Sequence, residues 1–305
     1  MRPLFVDCPP FLEQLYREEG LDRLVPDLEV HVGDPAGEEL VRLCAGRTHI
    51  LDDHSRFTAE ILERCPSLRC IVFLGTGAAS FIDLDAAARL GIEVRSYKGY
   101  GDRSVAEHAF ALMLAAAHRI AEMDRDIRAG LFQPKNSIEL LGKTVGVIGT
   151  GGIGREMVRL CAAIGMKVLA WNRSGVPSDL PCEAVSLEEL LHRSDVVSLH
   201  LVLNEETRGF LGRDKLALLK PGAIFVNTAR GAIVDEAALV EALESGRIAH
   251  AALDVFVEEP LPADHPFRRL PNVTMTPHAA FMTREASRNL LRMALEILRE
   301  ELGRS

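Results

Sequence analysis

An α/β protein of two doubly wound parallel sheets is the fold class that this sequence predicts, on three observations. First, short β-branched apolar runs alternate with amphipathic helical periods along the chain. Second, the stretch TVGVIGTGGIG at 144–154 sets Gly149, Gly151 and Gly154 in G-x-G-x-x-G spacing, with a strand pattern before and a helix pattern after. Third, 305 residues with 48% hydrophobic content can form a core more natural to two domains than to one.

The elements follow in order. Over residues 1–98, PLFVD, LEVHV, THILDD, LRCIVFLG and IEVRS read as strands. PPFLEQLYREEG, GEELVRLCAG, FTAEILERCPS and LDAAARLG between them read as helices, the first opened by proline and the second closed by glycine. The loop LGTGAAS (Leu74–Ser80) follows a strand, at the edge where ligands of parallel sheets bind. On its residues alone it reads equally as a ligand loop and as an ordinary turn. Residues 103–129 predict one long helix, apolar almost all round in its first half and capped by Gly130. His108 and His118 on it read as packing or buried hydrogen-bonding groups.

In TVGVIGTGGIG the first glycine permits a tight turn and the second lets a pyrophosphate approach the backbone. The third lets helix and strand pack closely. The helix REMVRLCAAIG then turns its free N–H groups toward the phosphates, and the strand KVLAW ends at Trp171. In that context a dinucleotide site is expected. Helices follow at SLEELLHRS, RDKLALLK and DEAALVEALESG, and strands at DVVSLHLV, AIFVNTA, AHAALDVF and VTMTPH. VEEPLPADHPFRRLP is a proline-rich loop. Residues 283–302 form an amphipathic helix.

Bulk properties exclude several classes. A net charge of −9 argues against a nucleic-acid surface, while a local Arg can still hold an anionic substrate. The start MRPLFVDCPP has no apolar core of a signal peptide, and no apolar run approaches a membrane span, so a cytoplasmic protein is expected. The six cysteines lack a C-x-x-C pair and read as buried free thiols. The ten histidines form no metal-binding pattern.

The segments NTARGAIVDEAAL (Asn227–Leu239), ALDVFVEEPLP (Ala252–Pro262) and TPHAA (Thr276–Ala280), with VIGTGGIG and SVAEHAFALML, closely resemble the D-2-hydroxyacid dehydrogenases. That family includes glyoxylate/hydroxypyruvate reductases, phosphoglycerate dehydrogenases and D-lactate dehydrogenases, and the first of these are nearest in character. The resemblance runs from about Leu51 to the last helix. It implies a flavodoxin-like substrate domain, residues 1–98 plus 281–305, with a Rossmann NAD(P) domain, residues 99–280, inserted between its halves. It also implies a homodimer built through the Rossmann domains.

The residues make chemical sense for that family. A 2-keto acid needs a cation for its carboxylate, and Arg230 offers a planar fork. It also needs an acid for the carbonyl oxygen, a role that suits His278. Glu259, which directly precedes the proline as the family motif places it, would pair with the imidazole and hold its tautomer. The resemblance further implies that Asp254 accepts from the nicotinamide carboxamide and that Thr228 and Ala229 line its ribose. It places Gly152 and Ile153 at the pyrophosphate, and gives Gly75, Thr76 and Gly77 the substrate carboxylate.

Departures from the family pattern carry information. The second Rossmann strand ends Asn172-Arg173-Ser174, without the carboxylate that would accept from a ribose 2′-OH. Arg173 and Ser174 suit a 2′-phosphate, so NADP(H) is expected in preference to NAD(H). Val202 replaces the proline of the usual H-x-P after His200. Asp52 and Asp53 stand where phosphoglycerate-type members tend to carry Arg, and acidic groups there would repel a second anionic end. The chain also ends soon after its last helix, with no regulatory domain expected. The substrate expected is therefore a small, singly charged keto acid such as glyoxylate, hydroxypyruvate or pyruvate, with His54, Phe281 and Met282 near the pocket. The alternatives are a phosphoglycerate dehydrogenase-like enzyme using NAD and a dinucleotide-sensing, corepressor-like binding protein. Formate dehydrogenases are disfavoured because Glu259 stands where they carry Gln.

Overall fold

The computed structural model describes residues 2–304. The chain divides into two compact units. One comprises the residues up to Gly101 and those from Met282 onward, the other Asp102–Phe281.

In the first unit the chain runs β1 (Leu4–Cys8), α1 (Pro10–Glu18), β2 (Glu29–Val32), α2 (Glu38–Cys44), β3 (His49–Asp52), α3 (Ala59–Glu63), β4 (Cys70–Phe73), α4 (Leu84–Arg89) and β5 (Glu93–Arg95). The strands pair in parallel in the order β2-β1-β3-β4-β5, the flavodoxin-like arrangement. β1, β3 and β4 are buried on both faces; β4 is apolar throughout, while β1 and β3 bury Asp7, His49 and Asp52 beside their apolar residues. One face packs Val6, Ile50 and Ile71 under α2–α4.

The second unit opens with α5 (Asp102–Ala117) and α6 (Ile120–Arg128). It continues through β6 (Thr144–Ile148), α7 (Gly152–Ala163), β7 (Lys167–Trp171), β8 (Glu183–Ala184), α8 (Leu187–Arg193), β9 (Val196–Leu199), α9 (Arg213–Leu216), β10 (Ala223–Asn227), α10 (Glu236–Glu244), β11 (Ile248–Leu253) and β12 (Val273–Met275). The order β12-β11-β10-β9-β6-β7-β8 is the Rossmann order counted from β6, with a seventh parallel strand added beyond it. The strand order reverses between β6 and β9, so the glycine loop after β6 lies at the switch point where such sheets bind ligands. The last helix, α11 (Arg284–Arg304), belongs to the first unit, where Leu291, Ala294, Leu295 and Leu298 pack against Phe5 and Val72.

One expected element divides. The helix foreseen over 103–129 is two helices, broken where Arg119 takes the left-handed conformation (φ 53°). The first is apolar round most of its circumference and the second along one stripe, so the chain reorients between them. Arg119 then pairs with the buried Glu122 at 2.7 Å. No glycine or proline marks this break. Likewise only Arg213–Leu216 of RDKLALLK is helical. Among the described residues no helix is long and apolar enough to cross a membrane.

Candidate active site

The glycine loop is shaped by close approach. Gly149 has φ +96°, and a Cβ on it would lie 2.6 Å from the His200 carbonyl oxygen. A Cβ on Gly154 would lie 1.9 Å from Gly149 O, which brings helix and turn together. Gly151 differs: a Cβ there meets nothing within 4 Å, so the protein alone does not demand glycine. The opening lies at the N-terminus of α7, whose first N–H groups, from Gly152 and Ile153 on, have no intrahelical acceptor. Beside it Thr150 Oγ1 is buried without a partner among the described residues. Space, orphan donors and an unpartnered hydroxyl fit the pyrophosphate of a dinucleotide.

The end of β7 is tied to this loop. Asn172 Oδ1 accepts from Thr150 N at 3.3 Å, and its Nδ2 donates to Ser174 Oγ at 2.8 Å and Gly175 O at 3.1 Å. Arg173 points into solvent and pairs with the equally exposed Glu206. His200, after β9, donates or accepts at Ser198 Oγ (2.8 Å), and burial lowers its pKa to about 4, so the ring stays neutral. Val202 is exposed.

The next strands bring three candidates together. Asn227, at the end of β10, accepts from Ala229 N at 2.9 Å and donates to Arg230 O at 3.1 Å, which shapes the turn Thr228-Ala229-Arg230. Thr228 Oγ1 is buried and unpartnered among the described residues. A Cβ on Gly231 would lie 2.1 Å from the Phe256 carbonyl carbon, so only glycine lets this turn pack on the loop that carries Glu259. Sequence reasoning did not single out Asn227 or Gly231; their signal lay inside NTARG. The Arg230 guanidinium donates to its neighbour's carbonyl at 2.7 Å and remains half-exposed.

Glu259 and His278 meet directly. Glu259 Oε2 lies 2.7 Å from His278 Nδ1, and Oε1 accepts from Phe256 N at 2.8 Å. Burial pushes the Glu259 carboxyl up, but His278, the Phe256 N–H and the charge of Arg230 outweigh it, leaving the group below the ordinary carboxylate range. His278 has φ 52°, a left-handed conformation unusual outside glycine. Asp254 holds it there. The His278 N–H donates to Asp254 O at 2.8 Å, and the Asp254 carboxylate accepts from Ala279 N, Ala280 N and Thr276 Oγ1 at 2.5–3.0 Å. Burial raises the Asp254 pKa, but these donors and His108 outweigh it and the net shift is downward. His108 reaches Thr276 Oγ1 at 2.9 Å in a part-buried hydrogen bond, whereas His118 is exposed and not the packing or buried group expected. Phe281 stands edge-on to the His278 ring at 6.4 Å.

In the first unit, Gly75, Thr76 and Gly77 follow β4, with Gly75 at φ +120°. None of their N–H groups donates to a backbone carbonyl among the described residues. The acidic pair differs from its expectation. Asp52 is fully buried, and burial together with neighbouring Asp7 pushes its carboxyl well up. Asp53 is largely covered and lies 3.0 Å from His54 Nδ1. The group presented at this edge is thus an imidazole: hydrogen bonding to Asp53, then to Asp34, raises His54 to about 9. Met282 is exposed. Among the described residues no group of three or more His, Cys, Asp or Glu is placed to hold a metal.

Comparison with known proteins agrees with this architecture. Residues 110–280 match the model of the D-isomer specific 2-hydroxyacid dehydrogenase, NAD binding domain. A glyoxylate reductase of Aeropyrum pernix is 42% identical over 255 residues, covering 80% of this chain and 76% of the relative. A D-3-phosphoglycerate dehydrogenase of Archaeoglobus fulgidus is 40% identical over 281 residues; that match spans 90% of this chain but 53% of the relative, about half its length. An acyclic imino acid reductase, solved with NADPH and D-Arg, superposes with a TM-score of 0.85 at 29% identity, covering 100% of this chain and 98% of that one. The chain belongs to the D-isomer-specific 2-hydroxyacid dehydrogenases, oxidoreductases that work with a nicotinamide dinucleotide.

Proposed function

We propose that the protein reduces a small 2-keto acid, such as glyoxylate, hydroxypyruvate or pyruvate, to the D-2-hydroxy acid with NADPH. The observation that carries this reading is the His278–Glu259 pair beside Arg230. A bound reduced nicotinamide supplies a hydride to C2 of the substrate. Because Nδ1 of His278 faces Glu259, Nε2 is the nitrogen that gives a proton to the carbonyl oxygen, and takes it back in the reverse direction. Glu259 holds the ring's tautomer and orientation. Arg230 pairs with the substrate carboxylate through two parallel N–H groups. In the first unit, Gly75, Thr76 and Gly77 are proposed as substrate-binding N–H donors.

For the cofactor, Gly149, Gly151, Gly152, Ile153 and Gly154 are assigned to the pyrophosphate, and Thr228, Ala229 and Asp254 to the nicotinamide end. Asn172, Arg173 and Ser174 are assigned to the 2′-phosphate. The present partner of Arg173 is an exposed carboxylate, and such pairs contribute about 0–1 kcal/mol, so a phosphate displaces it readily. A homodimer is supported by the exposed apolar side chains of Ile120, Ile127, Leu131, Phe132 and Leu141 along α6 and the connection after it.

A phosphoglycerate dehydrogenase-like enzyme using NAD is the second reading. It is favoured by the burial of Asp52 and the raised pKa of His54, which lessen the anionic repulsion expected at that edge while the exposed Asp34 keeps part of it. The test is kcat/KM for glyoxylate, hydroxypyruvate, pyruvate and phosphohydroxypyruvate with each cofactor. Turnover of the small acids, faster with NADPH, is the expected result, and Arg173→Ala should cut the NADPH value about tenfold and spare NADH. Parity or an NADH preference contradicts the cofactor assignment. Selective turnover of the phosphorylated acid supports the second reading, and cofactor binding without turnover supports a sensor.

A further inference from the structure

Gly152 is glycine for a reason that lies inside the protein. A Cβ there would fall 1.6 Å from Oδ2 and 2.4 Å from Cγ of Asp102, the first residue of α5. The carboxylate therefore lies against the first residue of α7, beside the open position at Gly151 and the unpartnered Thr150 hydroxyl. Among the described residues Asp102 makes no ion pair. The arginines of the two helices have other partners: Arg103, next on α5, with Glu107 at 2.6 Å and Glu156 at 3.1 Å; Arg159 on α7 with Glu156 at 2.6 Å; and Arg155 on α7 with Thr150 O at 3.3 Å. The other anion acting on this corner is Glu156. Burial, and then the charge of Glu156, push the Asp102 carboxyl up from its ordinary range.

We propose that Asp102 is a resident anion at the N-terminus of α7 that opposes the dinucleotide's pyrophosphate, so that cofactor binding takes up a proton at this carboxylate. The inference rests on the assignment of the pyrophosphate to Gly151–Gly154. A helix N-terminus favours one anion strongly. A second anion packed against the same turn, with no cation of its own, raises the free energy of the complex unless it is neutral. The pKa of Asp102 is then higher with cofactor bound than without. Affinity is greatest below the free-protein pKa, and falls as pH rises toward the value in the complex.

The experiment measures the Kd of NADH by nicotinamide fluorescence from about pH 5 to about pH 9. NADH is chosen because its two phosphodiester charges do not titrate there, whereas the 2′-phosphate of NADPH does. Parent protein, Asp102→Asn, Asp102→Ser and Gly151→Val are compared. Weakening of the parent's affinity by about tenfold across the range, with tighter and nearly pH-independent binding in both Asp102 variants, is expected. Parent-like Kd values and pH slope in both Asp102 variants, with binding lost in Gly151→Val, leave the pyrophosphate assignment standing and overturn the role of Asp102. Parent-like binding by Gly151→Val removes the assignment itself and the proposal with it.

Discussion

His54 of the first unit and His278 of the second have the same side-chain exposure, 37%, and each sits beside a carboxylate after a parallel strand. Their surroundings make them different groups. Both ring nitrogens of His54 are held, Nδ1 at 3.0 Å from Asp53 and Nε2 at 2.6 Å from Asp34, with Asp7 at 3.6 Å behind. Such a ring is a fixed cation that ties β1 to the chain after β2 and β3. His278 has one carboxylate, on Nδ1, and no partner on Nε2 among the described residues. Exposure and a nearby acid are therefore not what suits a histidine to proton transfer. One oriented nitrogen with the other left free is.

Three substitutions break or sharpen that contrast. The largest effect is expected from Glu259→Gln, which puts an N–H donor opposite Nδ1 and favours the wrong tautomer. Turnover should fall about a hundredfold while the Kd for NADPH stays within about twofold. Equal losses in binding and turnover would mean that Glu259 shapes the fold and not the imidazole. Arg230→Lys keeps the charge and removes the planar fork. Its kcat/KM should fall about tenfold, mostly through KM, and an unchanged KM would remove the carboxylate role.

The smallest effect is expected from His54→Gln, read by thermal unfolding against pH. The His54 pKa is raised to about 9 in the folded protein. Its stabilisation is thus complete below the ordinary histidine value of about 6.5 and is lost as pH rises through about 9. The parent's Tm should fall more steeply than the variant's over that window, by on the order of 2 °C. Parallel curves would show that the carboxylates around His54 do not hold it charged.

What could be read in advance follows the range of each interaction. The glycine loop was legible because turn, helix start and phosphate approach are set by neighbours in sequence, and Gly149 and Gly154 meet the backbone contacts their spacing implies. Arg230, Glu259 and His278 are candidates drawn from short motifs, and of these the structure sets Glu259 against His278 at 2.7 Å. Three features were not. The break at Arg119 has no proline or glycine to announce it. The true environment of Asp52 and Asp53 depends on Asp7 and Asp34, which come from other strand ends. The closeness of Asp102 to Gly152 depends on how α5 packs on α7, and no local pattern records that.

The central claim is that His278 gives the proton when a 2-keto acid is reduced. It is tested most directly by His278→Gln, with NADPH binding and the turnover of glyoxylate, hydroxypyruvate and pyruvate measured on the same protein. Binding like the parent's, with turnover of every acid down by about a hundredfold or more, is the predicted result. Turnover at the parent rate on any of the three would contradict it.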